Sequence, residues 1–294
     1  MSAEPSRPPG PGQSLLERAR EHLRLYESVQ ILVPGLVGIL GQRARPGFTV
    51  LLLYGITYAS HVLSVYSFND LCDDESDAAN PRKARRRAKS VVWLRRQTAV
   101  LTAVFLATVG FMPPAVRLLF VFNQATCMAY SDPRVRLKRR LLGSEFAHFV
   151  AGSSYFTTGV LVAGGDPLAH ALGAVLFGLL YLSGGTFNEV MDCDADRQAD
   201  MRHLVVRAGR RRSLALVVLV HYTAFALLAA YAPMPWMLAS IACAVGLYTA
   251  LVRSVARAVD DPAALLRFRS GYRLVFAALL AALSLSHLVA IARA

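Results

Sequence analysis

Long apolar runs decide what this chain can fold into. Segments 48–66 and 213–232 each hold about 20 residues without an acid, a lysine or an arginine, roughly the length of helix that crosses a bilayer. Backbone N–H and C=O groups in lipid must find partners inside the protein, so such a chain is expected to be a bundle of helices. Nine apolar spans can be delimited, near 29–42, 48–68, 97–112, 114–131, 145–163, 168–187, 213–232, 234–252 and 271–291. With 55% hydrophobic and 17% charged residues, the expected fold class is all-α: a polytopic membrane bundle of nine transmembrane helices.

The charges are unevenly placed. Formal net charge is +13, and Arg and Lys cluster at 82–96, 134–140, 202–212 and 253–273. The linkers between these clusters, at Pro113-Pro114, Gly164-Gly165-Asp166-Pro167 and Pro233-Met234-Pro235, carry no basic residue. That alternation is the positive-inside pattern. It puts the N-terminus inside and, after nine crossings, the C-terminus outside; Arg43 and Arg45 oppose it but are outweighed by the four basic loops. Charges confined to alternate loops between apolar spans argue for a lipid bilayer as partner and against nucleic acid.

Residues 1–14, rich in Pro, Gly and Ser, are expected to be a disordered tail without the apolar core of a cleaved signal peptide. Residues 15–294 read as one membrane-embedded domain, opening with an amphipathic stretch, Leu15 to Tyr26, at the membrane surface. Cys72, Cys127, Cys193 and Cys243 are scattered without a C-x-x-C pair, which argues against thiolate metal sites and disulfide frameworks.

Against this background two acidic segments stand out: Asn69-Asp70-x-x-Asp73-x-x-x-Asp77 and Asn188-Glu189-x-x-Asp192-x-x-x-Asp196. In each, carboxylates at i, i+3 and i+7 share one face of a helix, where like charges repel unless something positive sits among them. Both segments follow even-numbered spans, the second and the sixth, at the expected cytoplasmic side. They recur at equivalent points of a faint internal duplication, and membrane proteins built from repeats often place their site at the repeat interface.

Oxygen-rich clusters of this kind suit Mg2+, which is typically held by one or two carboxylates together with substrate phosphates. A diphosphate between the clusters would relieve the repulsion, and metal plus cations would stabilise a departing pyrophosphate. The amides of Asn69 and Asn188 are aligned with the acids as ligands or hydrogen-bond partners. Lys83 and Arg86 follow the first cluster and Arg197 the second, all suited to phosphate oxygens. The fourth span ends in Tyr130-Ser131-Asp132-Pro133, with Lys138 shortly after, which places an aromatic hydroxyl and cations at the same membrane face. Asp74, Glu75 and Asp194 lie off the shared faces, and Asp200, at i+11 from Glu189, returns to one. His61, inside the second span, reads as packed or hydrogen-bonded.

With these residues in view, the chain resembles the UbiA-type intramembrane prenyltransferase superfamily over nearly its whole length after residue 28. The resemblance rests on Asn69, Asp70, Asp73 and Asp77; on Glu189, Asp192, Asp196 and Arg197, with Glu in the first acidic place; on Asn80-Pro81-x-Lys83-x-x-Arg86; and on Tyr130-Ser131-x-Pro133. Arg87-Ala88-Lys89 and Asn188 depart from the pattern. The resemblance implies Mg2+-dependent ionisation of a prenyl diphosphate and transfer of the prenyl group to a small-molecule acceptor, usually aromatic. Asp70, Asp73, Asp77, Glu189, Asp192 and Asp196 would hold metal, with Tyr130 near the carbocation. Asn69, Asn188, Lys83, Arg86, Arg197 and Lys138 would bind diphosphate. No obligatory protein partner is inferred, and the site would face the cytoplasm of a bacterial cell. A cyclase of the same fold working without acceptor and a cation-coupled transporter are the alternatives.

Overall fold

The computed structural model describes residues 25–72, 91–231 and 234–293. The expected tail 1–14 and surface stretch 15–26 fall wholly or mostly outside these residues, as do Asp73, Asp77, Lys83 and Arg86. Among the described residues every regular element is helical: α1 (Leu25–Leu40), α2 (Phe48–Cys72), α3 (Val91–Val109), α4 (Pro114–Ser131), a 3-10 turn (Leu137–Arg139), α5 (Gly143–Val162), α6 (Ala171–Gln198), α7 (Leu204–Ala208), α8 (Arg210–Tyr231), α9 (Pro235–Ala256) and α10 (Pro262–Arg293). The nine long helices follow the nine apolar spans. α2, α6, α8, α9 and α10 are long and apolar enough to cross a membrane by length and composition.

Local chemistry sets several boundaries. Pro114 and Pro235 open α4 and α9 at positions where a missing N–H costs nothing. α10 likewise opens at Pro262, well before residue 271. Arg267 and Arg269, assigned to the basic loop before the last span, sit on the same continuous helix as Arg273. The short α7 was not foreseen.

Two apolar cores divide the bundle. One gathers side chains from α2, α3 and α4, including Tyr58, Val62, Phe105 and Phe120. The other gathers α6 through α10, including Phe187, Val217, Phe225, Tyr248 and Phe276. Helices α1 and α5 contribute to both cores and form the seam. Backbones approach closely there: a Cβ on Gly159 of α5 would stand 2.1 Å from the carbonyl oxygen of Gly35 on α1. Without a hydrophobic force between helices in lipid, such small-residue contacts supply dispersion and close fit. Large apolar side chains on the outside, among them Leu52, Leu106, Leu118, Leu219, Leu247 and Leu274, suit a lipid surround.

Buried histidines tie the helices together. His61 of α2 bonds to Gln124 of α4 and, through Nε2, to the Tyr155 hydroxyl of α5 at 2.9 Å, so it is packed and hydrogen-bonded as expected. His221 of α8 bonds to Tyr248 of α9 at 2.7 Å and to Ser183 of α6 at 2.9 Å.

Candidate functional site

The acidic face of α6 exists as the spacing predicts. Because the helix runs to Gln198, Glu189, Asp192 and Asp196 all lie on regular helix and share a side. The buried Glu189 and Asp196 are joined by a residue that the sequence reading missed. His203, 1% exposed, sets Nδ1 3.2 Å from Glu189 Oε2 and Nε2 3.1 Å from Asp196 Oδ2. Something positive therefore does sit among the acids. Burial opposes the imidazolium, but the Asp196 hydrogen bond and the charges of Glu189, Asp196 and Glu145 prevail and raise the His203 pKa above its ordinary value. The signal in sequence was an imidazole among arginines, seven residues beyond the acidic face; no helical periodicity reaches it, because the chain leaves α6 at Gln198.

The end of α2 meets the end of α4. Ser131 Oγ donates to Asn69 Oδ1, and the neighbouring Asp70 is buried. Beyond α4 the chain turns sharply through two left-handed residues, Arg136 (φ 44°) and Leu142 (φ 61°). Gly143 permits the return: its Cβ would lie 2.2 Å from the Leu137 carbonyl oxygen. The turn buries Lys138, 7% exposed, within electrostatic reach of both Cys72 at the end of α2 and Asp196 on α6. Burial pushes this ammonium down to about 8, Cys72 and Asp196 acting against the shift and Arg139 adding to it. Lys138 thus stands between the described end of α2 and the acidic face of α6.

Tyr130 belongs to the same end. Its ring meets His148 of α5 edge to face, with centroids 5.4 Å apart, and its hydroxyl lies beside Ser144 and within electrostatic range of Glu189, Asp196 and Glu145. The His148 ring fits because residue 185 is glycine; a Cβ there would stand 2.6 Å from it.

Other expected residues stand apart. Arg197, mostly exposed, is turned off the acidic face of α6, 3.9 Å from Asp194. Asp194 pairs with Arg210 at 2.9 Å, as an acid off the shared face should. Asp200 does not return to that face, because the helix has ended; it takes φ 50° and pairs with Arg202 at 3.3 Å.

Both oxygens of Glu145 and the Oδ1 of Asn188 are buried without a hydrogen-bond partner, while Glu189 Oε2 is held by its 3.2 Å ion pair with His203. Hard, oxygen-only donors fit Mg2+. Among the described residues no group of three or more His, Cys, Asp or Glu side chains could hold an ion. A metal here therefore also needs Asp73 and Asp77, which lie outside the described residues, or oxygens from a substrate.

The model of the UbiA prenyltransferase family matches residues 31–280. The chain belongs to that family. It is an integral membrane protein. Lycopene elongase/hydratase of Corynebacterium glutamicum is 28% identical over 194 residues, or 60% of this chain. The match covers 64% of that relative, just under two thirds of its length. A solved UbiA homologue from Aeropyrum pernix superposes with TM-score 0.70 at 21% identity, over 88% of this chain and 98% of that one. A UbiA homologue from Archaeoglobus fulgidus, solved bound to DMAPP and Mg2+, gives TM-score 0.63 at 15% identity, over 92% and 98%. These structural likenesses establish the shared fold.

Proposed function

We propose that this chain is a Mg2+-dependent membrane prenyltransferase with its site facing the cytoplasm, where the ends of α2 and α6 meet. One observation carries the reading: an acidic face on α6 with Glu189 buried, at the same end as Asn69, Asp70, Tyr130 and a buried lysine. Carboxylates turned inward in a lipid-embedded bundle are costly unless cations complete them. A metal-bound diphosphate is such a partner.

Asp70, Asp73 and Asp77 would hold one half of the metal-diphosphate assembly, and Glu189, Asp192 and Asp196 the other. When bound, Mg2+ draws charge from the diphosphate oxygens and makes pyrophosphate a better leaving group. Lys138, between the halves, neutralises an oxygen of the departing group; Lys83 and Arg86 approach from the segment after α2. Arg197 joins them once its side chain turns from Asp194. Asn69, anchored by Ser131, and Asn188, with its free carbonyl, orient the diphosphate. Tyr130, steadied by His148, offers its ring and hydroxyl to the allylic cation, and the lipid-embedded bundle keeps water from it.

The relative named lycopene elongase/hydratase favours an acceptor whose nucleophile is a double bond in a long apolar chain. The family pattern alone suggests an aromatic acceptor. The purified protein should be incubated with allylic diphosphates of several lengths, with Mg2+ or EDTA, and with polyene, aromatic or no acceptor. Mg2+-dependent pyrophosphate release and a polyene heavier by one prenyl group are expected. Prenylation of an aromatic compound would keep the enzyme class and change the acceptor; a cyclic product without acceptor would assign a cyclase. No pyrophosphate release in any arm overturns the reading.

A further inference from the structure

Glu145 belongs to neither acidic segment, yet it is the most isolated buried carboxylate near the site. It lies in the first turn of α5, is 6% exposed, and neither carboxylate oxygen has a hydrogen-bond partner in another residue. A glutamate in a first turn is ordinarily explained by the helix dipole. That role needs no burial, since an exposed carboxylate serves it equally well. Burying a carboxylate without a partner is unfavourable and calls for a compensating cation.

The surroundings sharpen the requirement. Glu145 is close enough to Glu189 and Tyr130 to act on both electrostatically, so it adds negative charge to a region already rich in it. His203 attracts it from a distance but makes its short contacts to Glu189 and Asp196 instead. No described basic side chain forms an ion pair with Glu145. Its position is well fixed: Gly143, two residues earlier, is packed against the Leu137 carbonyl, and the adjacent Ser144 lies beside both Tyr130 and Glu189.

We propose that Glu145 is a further oxygen ligand of the Mg2+-diphosphate assembly, contributed by a third helix beside the acidic ends of α2 and α6. The inference rests on the prenyltransferase reading above. One or two carboxylates plus phosphate oxygens make a typical Mg2+ environment. Glu145 and Glu189, on adjacent helices, supply such a pair, the Glu189 oxygen exchanging its contact with His203 for the metal. Buried without an ion pair, Glu145 is a group that weakens the metal-free protein and strengthens the loaded one.

The test uses the full chain in detergent with Mn2+ as the EPR-visible probe, titrated in the presence of inorganic pyrophosphate. Glu145→Gln should weaken Mn2+ binding about 10- to 100-fold, the range typical of lost metal-site support. Asp194→Asn, on the far face of α6, should bind as wild type does. Metal-free Glu145→Gln should melt at or above the wild-type temperature, and Mg2+ with pyrophosphate should raise its Tm less. Wild-type Mn2+ affinity in Glu145→Gln overturns the proposal; Glu145→Ala repeats the measurement if the amide variant does not fold. Failure of the wild-type chain itself to bind Mn2+ and pyrophosphate would instead sink the prenyltransferase reading.

Discussion

His203 Nε2 stands 3.1 Å from Asp196 Oδ2, and the other nitrogen of the ring faces Glu189. One imidazole thus spans both ends of an acidic helix face, giving the metal-free protein an internal cation where like charges would otherwise repel. Breaking a buried pair by deleting one partner leaves the other charge uncompensated and typically costs 3–5 kcal/mol.

For His203→Gln, a loss of about 3 kcal/mol of metal-free stability is therefore expected. The pKa of His203 is raised on folding, so its contribution is fully present below the unfolded value near 6.5 and fades as pH rises through the higher folded value. Thermal melts should accordingly separate wild type from variant more at pH 6.5 than at pH 9.5. A gap that widens toward alkaline pH would exclude the charged pairing.

Lys138 makes a kinetic prediction. Its ammonium is pushed down to about 8 by burial, so the free enzyme should lose affinity for the transition state as pH climbs through that value. The alkaline limb of kcat/KM for the prenyl diphosphate should fall near pH 8 and move upward in Lys138→Arg. In Lys138→Met, kcat/KM should drop roughly 10- to 100-fold, the worth of a charge-assisted hydrogen bond.

The seam between the two cores is tested by Gly159→Ala. A methyl group 2.1 Å from the Gly35 carbonyl oxygen must drive α1 and α5 apart. Overpacking of this kind costs about 1–3 kcal/mol, read as a lower Tm. Gly55→Ala, with nothing within 4 Å of the added carbon, should melt close to wild type.

Much of this was legible in the sequence, and for identifiable reasons. Apolar runs and the positions of Pro114 and Pro235 located the helices; carboxylates at i, i+3 and i+7 located the face of α6. What was hidden depends on tertiary contact. His203 and Glu145 share no period with the motif, and only the packing of α5 and of the chain after α6 brings them to it. Asp200 was extrapolated along a helix that stops at Gln198. Arg197 followed the motif in sequence, yet the 100° step of the helix turns it toward Asp194. The start of α10 was placed late because arginines read as a loop, although a helix end outside the apolar span accommodates them.

Pyrophosphate release by wild type, Asp73→Asn and Asp192→Asn, with and without Mg2+, tests the central claim most directly. The account predicts Mg2+-dependent release by wild type, and loss of at least two orders of magnitude in each variant with the helical far-UV spectrum unchanged. Full activity in both variants would contradict it, because the paired acidic faces would then not be the site of ionisation.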